Sequence, residues 1–190
     1  MASHPIGSCA PYDSQAVRPP QTATQIGTTM KAKPGILDAL QDVLTKELTG
    51  INQYFIHSKM CTNWGYDLLA KFQWSESMDE MRHPDKIIDR MLFLDGEPNM
   101  TRYEKIAAGK DAKAMLKADL GLELNALETL QQAIATTFEQ NDHVTRELFE
   151  HILADEESHV DWLEAQLEQI ETMGIENWLV TQKSGKEEQA

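Results

Sequence analysis

Four apolar stripes at helical spacing run through this chain, and ionisable residues interrupt each of them. The apolar members recur every three or four residues, as they do on the buried face of a packed helix. They are Leu40, Leu44, Ile51, Tyr54, Phe72, Ile87, Met91, Leu94, Leu116, Leu120, Leu127, Leu130, Leu148, Ile152 and Leu163. The interrupting residues are Glu47, Glu80, His83, Glu123, Glu156 and His159. Because burying isolated carboxylates is costly, six such groups in a core predict a cation that compensates them.

The spacing of the glutamates repeats in the two halves of the chain. Glu47 and Glu80 are 33 residues apart, and so are Glu123 and Glu156. A histidine follows the second glutamate of each pair three residues later, on the same helical face. Four carboxylates and two imidazoles from paired helices form the di-iron carboxylate site of helical bundles. Oxygen ligands with one imidazole for each metal suit iron or manganese.

The simplest allocation of ligands gives each iron one terminal glutamate and one histidine, while two glutamates bridge. The terminal pairs are Glu47 with His83 and Glu123 with His159, and the bridges are Glu80 and Glu156. Such a site can take one electron from each Fe(II) and pass the pair to dioxygen or peroxide. Tyr54 lies on the same stripe as Glu47 and is expected beside the site.

The fold class predicted from these stripes is all-α, a ferritin-like four-helix bundle. Proline and glycine fall mainly between the helical segments. We predict long helices over about 35–63, 67–94, 111–138 and 141–173, and a short fifth helix over about 175–182. The connection over 95–110 is long enough for a crossover between the second and third helices.

Three segments are expected along the chain. Residues 1–29 contain Pro19-Pro20 and many Ser, Thr and Gln residues, and they predict a disordered N-terminal arm without a secretory signal. Met30 is an alternative translation start. Residues 30–183 form the bundle, and residues 184–190 form a flexible tail.

Charge and cysteine content exclude several classes of protein. The formal charge of −14 disfavours a nucleic-acid partner, since phosphate binding needs clustered Lys and Arg. Cys9 and Cys61 form no paired motif, so neither a disulfide framework nor a thiolate iron site is expected. No apolar run is long enough for a membrane span. These features predict a cytoplasmic protein.

A second apolar stripe lies on the other face of the second predicted helix. It consists of Trp74, Met78, Met81, Ile88 and Leu92. A bundle helix that is apolar on two faces needs a second burial partner, and the simplest partner is another subunit. Met81 therefore points to an interface between subunits and away from the iron pair.

From Met30 to about Gln182 the sequence resembles the bacterioferritin family. The resemblance rests on KELTGINQYFIHSKM around Glu47, DEMRH at 79–83, LGLELN around Glu123 and DEESHVDWLE at 155–164. It implies that the six ionisable residues form a ferroxidase centre. It also implies that Met81 is an axial ligand of haem b, which two subunits share.

The resemblance further implies the assembly and its partners. Bacterioferritins form a hollow shell of twenty-four subunits, built from haem-bridged dimers, that stores a ferric mineral. A small ferredoxin donates the electrons that release iron through the haem. The expected cofactors are therefore a di-iron pair and haem b, in a homo-oligomer.

Three features depart from the family pattern. Ser75 replaces a histidine that contributes to an inner-surface iron site in many members, although Asp79 retains the carboxylate. Pro84 follows His83 directly and removes a helical hydrogen bond. The N-terminal arm is the third departure. An auxiliary inner iron site is therefore not expected.

Other functions fit the sequence less well. A rubrerythrin-like peroxidase would need four cysteines for its rubredoxin domain. A DNA-binding mini-ferritin lacks the site inside the bundle and often has a basic tail. A specialised subunit that co-assembles with a second ferritin carries only one of the two roles, iron oxidation or haem binding. This chain has residues for both iron and haem.

Overall fold

Residues 30–183 are described by a computed structural model, and the predicted arm over 1–29 and tail over 184–190 lie outside them. The described part of the chain forms six helices. Their bounds are α1 Ile36–Trp64, α2 Asp67–Asp79, α3 Arg82–Phe93, α4 Ala112–Glu139, α5 His143–Met173 and α6 Ile175–Thr181. None of these helices is long and apolar enough to cross a membrane.

Local sequence explains where the long helices begin and end. Gly65 ends α1 with a φ of 78°, a left-handed conformation that residues with a Cβ rarely adopt. The side chains of Asp111 and Asp142 begin α4 and α5, since each accepts a hydrogen bond from the backbone N–H three residues later. These signals keep the observed boundaries close to those predicted from the stripes.

The four legs of the bundle are α1, the α2–α3 leg, α4 and α5. The segment between α3 and α4 runs along α1, and its backbone N–H groups donate to α1 side chains in order. Asn99 donates to Gln41, Glu104 to Thr49 and Ala107 to Gln53. This crossover therefore brings the chain back to the end of the bundle at which the α2–α3 leg begins. The predicted bundle with a long crossover and a short C-terminal helix is confirmed.

The second predicted helix, over about 67–94, is interrupted. α2 ends at Asp79 and α3 begins at Arg82, with Glu80 and Met81 between them. Pro84 has no N–H to donate to the carbonyl of Glu80, four residues earlier, so the helical hydrogen-bond ladder breaks there. Both intervening residues keep right-handed helical angles, and the leg therefore continues in one direction.

Two hydrophobic cores lie at opposite ends of the bundle. One is built around Leu40, Leu44, Ile87, Met91, Leu130, Phe149 and Ile152. The other is built around Cys61, Leu69, Met115, Leu116, Leu163 and Trp178. Along the helices, the buried carboxylates of Glu80, Glu123 and Glu156 lie between residues of the two cores, so a core packs on each side of them.

Candidate di-metal centre

The six ionisable residues that interrupt the stripes come together in the middle of the bundle. Glu47 comes from α1, Glu80 and His83 from the α2–α3 leg, Glu123 from α4, and Glu156 and His159 from α5. Five of them are at most 5% exposed, and His159 is partly buried. We refer to these six residues as the six-residue cluster.

The ligand atoms of the cluster form two overlapping groups. One group contains Glu47, Glu80, His83 and Glu156, and the other contains Glu80, Glu123, Glu156 and His159. Within each group the ligand atoms all lie within 4.8 Å of one another. Glu80 and Glu156 belong to both groups, which is the arrangement that two bridging carboxylates require. Each group also holds one terminal glutamate and one histidine.

Both histidines direct the same ring atom, Nδ1, toward the carboxylates. Nδ1 of His83 lies 2.9 Å from Oε2 of Glu47 and 3.2 Å from Oε1 of Glu156. Nδ1 of His159 lies 2.9 Å from Oε2 of Glu156 and 3.4 Å from Oε1 of Glu80. The nitrogen that faces the carboxylates is therefore Nδ1 in both rings.

The carboxylates hold protons on both imidazole rings. Burial alone would lower the pKa of His83, but hydrogen bonds to Glu156 and Glu47 raise it to about 11. Burial also opposes the charge on His159, and hydrogen bonds to Glu156 and Glu80 raise its pKa to about 12. Two imidazolium groups thus supply positive charge among the four carboxylates.

Two imidazolium groups cannot neutralise four carboxylates. Burial raises the pKa of Glu47 to about 7, and it raises the pKa values of Glu80 and Glu123 well above the ordinary range. Burial would also raise the pKa of Glu156, but hydrogen bonds from His159 and His83 lower it to about 2. The cluster therefore keeps protons on some of its carboxyl groups.

The cluster also has carboxylate oxygens that are short of donors. Oε1 of Glu80 and Oε1 of Glu156 are buried, and in the described part of the chain each faces only a histidine Nδ1 that a second carboxylate also contacts. An unsatisfied buried carboxylate oxygen is expensive, and a metal ion satisfies it directly. Buried oxygen donors, one imidazole in each group and unsatisfied lone pairs together fit a pair of iron ions.

A second buried polar group lies beside the cluster, and the sequence pattern did not predict it. We call it the Asp119 cluster, and it comprises Gln53, His57, Gln73 and Asp119. The amides of Gln53 and Gln73 each donate to an Asp119 oxygen at 2.9 Å, and Nδ1 of His57 lies 2.8 Å from Oδ1. Tyr54, between the clusters, donates to Glu123. Asp119 lies one turn before Glu123 on α4, and this spacing is the sequence signal from which its burial beside the six-residue cluster could have been predicted.

The second stripe of the α2–α3 leg lies largely on the surface. Trp74 and Met78 are each 41% exposed, Met81 is 54% exposed and Leu92 is 58% exposed. Ile88 differs, because it is half-buried and packs against the first hydrophobic core. Met81 lies at the break between α2 and α3 and presents its side chain outside the six-residue cluster.

The departures at Ser75 and Pro84 have different structural consequences. The hydroxyl of Ser75 lies 3.4 Å from Oδ2 of Asp79, so serine caps this carboxylate without supplying an imidazole. Pro84 is buried in the first turn of α3, where proline is tolerated, and His83 remains in the cluster. Whether an inner-surface iron site is lost remains a prediction.

Comparison with known proteins agrees with this architecture. A family model for the ferritin-like domain matches residues 37–173. Bacterioferritin of Mycolicibacterium paratuberculosis is 46% identical over 147 residues, which is 77% of this chain and 92% of that protein. Bacterioferritin of Streptomyces coelicolor is 42% identical over 152 residues, with 80% and 91% covered. Bacterioferritin of Brucella melitensis is 38% identical over 149 residues, with 78% and 92% covered.

The helical bundle and its matching domain define a protein of the ferritin-like class. The identity to these relatives extends over nearly their whole length. The chain belongs to the bacterioferritin family.

Proposed function

We propose that this chain stores iron and is a ferroxidase, which oxidises Fe(II) at the six-residue cluster and deposits Fe(III) inside a multi-subunit shell. The observation that carries the proposal is the pair of overlapping ligand groups that share Glu80 and Glu156. The names of the relatives support iron storage as the role.

Iron is the substrate of the proposed reaction. Glu47 with His83 would hold one Fe(II), Glu123 with His159 would hold the other, and Glu80 and Glu156 would bridge. Anionic oxygen ligands favour Fe(III) over Fe(II), because the attraction to a carboxylate grows with the charge of the ion. Each Fe(II) gives up one electron. Dioxygen takes two electrons and two protons to form hydrogen peroxide, or peroxide takes two of each to form two waters.

Stopped-flow oxidation of Fe(II) tests the ferroxidase proposal. Glu47→Ala and His159→Ala each remove a ligand from a different iron, so the rapid oxidation of two Fe(II) per subunit should slow by about 100-fold or more. Glu157→Ala is the matched control, since Glu157 is an exposed glutamate of α5. Rapid oxidation that persists unchanged in both ligand variants would refute the assignment.

Met81 fits the role of a haem ligand. Its thioether is a donor that haem iron accepts, and it lies on an exposed apolar face with Trp74 and Met78. Haem b bound there would supply one-electron transfer between the mineral and an electron donor. Met81 would hold the iron, and the neighbouring apolar side chains would exclude water from the ring.

The absorbance of bound haem tests this role. Met81→Leu keeps an apolar side chain but removes the sulfur, so haem absorbance should be lost while the initial oxidation of Fe(II) stays close to wild type. Met78→Leu is the matched control, because Met78 is an exposed methionine on the same face. Haem retained at full occupancy in Met81→Leu would limit Met81 to packing.

The exposed stripe also supports a homo-oligomer. Apolar side chains at this density on one helix face favour burial against a second copy, and haem-bridged dimers would build a shell of twenty-four subunits. Sedimentation should then give that particle and not a 21.5 kDa monomer. A ferredoxin-type donor and a cytoplasmic location complete the proposed function.

A further inference from the structure

Each histidine of the six-residue cluster has a further carboxylate on the side of its ring that faces away from the cluster. Their Nδ1 atoms face the cluster, and their Nε2 atoms face outward. Nε2 of His159 lies 3.0 Å from Oε2 of Glu76, and Nε2 of His83 lies 3.2 Å from Oδ2 of Asp155. Neither Glu76 nor Asp155 belongs to the groups of potential metal ligands.

This arrangement fixes which nitrogen of each ring is free to bind metal. When Nδ1 binds a metal, the remaining proton of a neutral imidazole is on Nε2. A carboxylate that accepts this proton in a hydrogen bond holds the ring in place and makes Nδ1 a better ligand. Glu76 and Asp155 each lie where such an acceptor is needed.

The two outer carboxylates differ in their surroundings. Glu76 is 9% exposed, and its Oε2 lies 3.0 Å from Nε2 of His159 and faces no other donor in the described part of the chain. Attraction between such groups is strong because burial limits the screening by water. Glu76 comes from α2, one turn before Glu80.

Asp155 is more exposed and has a competing contact. Its side chain is 47% exposed, and the same oxygen, Oδ2, lies 3.8 Å from Nε2 of His151. A cavity of about 290 Å³ brings solvent to Asp155 and His83, and His159 also lines it. Water and His151 both compete for the carboxylate that faces His83.

We propose that Glu76 and Asp155 are positioning residues for the two histidines, and that their unequal burial makes the His159 metal position tighter than the His83 position. This inference rests on the proposed di-metal function. The two halves of the centre are therefore alike in ligands but unequal in affinity.

Titration of the metal-free protein with Co(II) tests the inference, with the d–d absorption of bound cobalt as the readout. Wild type should bind two Co(II) per subunit in two separable steps. Glu123→Ala should abolish the tighter step and Glu47→Ala the weaker one, which assigns each step to a position. Glu76→Leu should weaken the tighter step by about 10- to 100-fold. Asp155→Ala should weaken only the other step, and by a smaller factor.

Conservative variants separate positioning from folding. Glu76→Gln keeps an oxygen that can accept from Nε2–H, so it should restore the tighter step to within about 10-fold of wild type. Circular dichroism should show the same helix content in every variant. Glu157→Leu removes an exposed carboxylate from α5 and should change neither step.

The outcomes distinguish the inference from the function on which it rests. Wild type that fails to bind two Co(II) would overturn the proposed di-metal function together with the inference. Two steps that survive Glu76→Leu and Asp155→Ala unchanged would overturn the inference alone. The same is true if Glu76→Leu weakens the His83 position, or if Glu76→Gln is as damaging as Glu76→Leu.

Discussion

Two buried polar clusters lie side by side in this bundle, and they differ in how completely the protein satisfies them. Glu123 of the six-residue cluster and Asp119 of the Asp119 cluster are one turn apart on α4. Both are at most 1% exposed, so each should be equally costly to ionise without partners. The contrast between them distinguishes a polar cluster that the protein satisfies by itself from the cluster that is proposed to bind metal.

The Asp119 cluster is closed. One carboxylate faces three side chains, and both of its oxygens accept a hydrogen bond from an amide. His57 and Gln53 also accept from backbone N–H groups of the crossover, at Gly109 and Ala107. Two atoms of this cluster have no hydrogen-bond partner in the described residues. They are the neutral amide oxygen of Gln73 and Nδ1 of His57, which still lies 2.8 Å from Oδ1 of Asp119. The cluster joins α1, α2 and α4 and ties the crossover to them.

The six-residue cluster is open. Four carboxylates share two imidazoles, and Oε1 of Glu80 and Oε1 of Glu156 each face only a histidine Nδ1 that a second carboxylate also contacts. Protons on Glu80 and Glu123 relieve part of the repulsion, because their pKa values are raised well above the ordinary range. Burial of a carboxylate alone therefore does not indicate a metal site. A shortage of hydrogen-bond donors for the buried carboxylate oxygens does indicate one.

The largest expected effect comes from removing the acid of the closed cluster. Asp119→Leu would leave the amides of Gln53 and Gln73 and the ring of His57 without their shared partner, and should lower the free energy of unfolding by about 3–5 kcal/mol. Glu80→Met makes the equivalent change in the open cluster. It should alter the stability of metal-free protein by less than about 1 kcal/mol, because it removes an acid that is short of donors.

Guanidinium unfolding of both variants in the presence of chelator measures this contrast. Equal m-values would show that the same surface is exposed in each transition. The distinction between closed and open clusters fails if Glu80→Met costs as much as Asp119→Leu.

Metal should stabilise the open cluster and leave the closed one unchanged. At a free Mn(II) concentration 100 times the dissociation constant, binding to the folded state should add about 2.7 kcal/mol to the free energy of unfolding. Gln73→Ala weakens the closed cluster but should keep the whole increment. Glu80→Gln should lose most of it. Thermal unfolding with and without Mn(II) supplies the measurement, and an increment lost in Gln73→Ala would show that the clusters are not independent.

The response of stability to pH should reverse when metal is added. In metal-free protein the raised pKa of Glu47, about 7, means that the folded state keeps a proton that the unfolded state loses above about 4.5. The raised pKa values of His83 and His159 act in the same direction above about 6.5, and their contribution is lost only as pH approaches 11 to 12. Stability should therefore fall as pH rises from 5 to 8.

The expected slope is about 1.4 kcal/mol per pH unit for each proton of difference between the states. With saturating Mn(II) the ligands of the folded state are deprotonated, while unfolded histidines still bind protons below about 6.5. Stability should then rise with pH up to about 7 and level off above it, because the unfolded histidines have by then lost their protons. Urea unfolding at several pH values, with chelator or with Mn(II), checks the sign, and slopes of the same sign in both series would contradict the open-cluster assignment.

The fold and the six central residues could be predicted from the sequence because both depend on periodicity. Helical spacing identifies the buried face of each helix, and the repeated 33-residue offset aligns Glu47 with Glu80 and Glu123 with Glu156. These relations are fixed along the chain, so no knowledge of the packing between helices is needed. The metal that the residues would bind remains a proposal.

The closed cluster and the outer carboxylates could not be predicted in this way. Asp119 and Glu76 each lie one turn before a predicted ligand, but whether such a residue meets a partner or solvent depends on the neighbouring helix. Ile88 shows the same limit, since it belongs to the second stripe yet packs partly against the core. Contacts between helices decide these cases, and helical spacing along the sequence gives no information about such contacts.

The smallest expected effect concerns Pro84, which lies in the α2–α3 leg directly after His83 of the open cluster. Pro84→Ala restores an N–H for the carbonyl of Glu80 and should raise the stability of metal-free protein by about 1 kcal/mol. Because Glu80 and Met81 already have helical angles, the leg should keep its direction and both Co(II) steps should survive. Asp89→Ala, an exposed site of α3, controls for helix propensity. Loss of a Co(II) step in Pro84→Ala would instead mean that the break itself sets the ligand geometry of the open cluster.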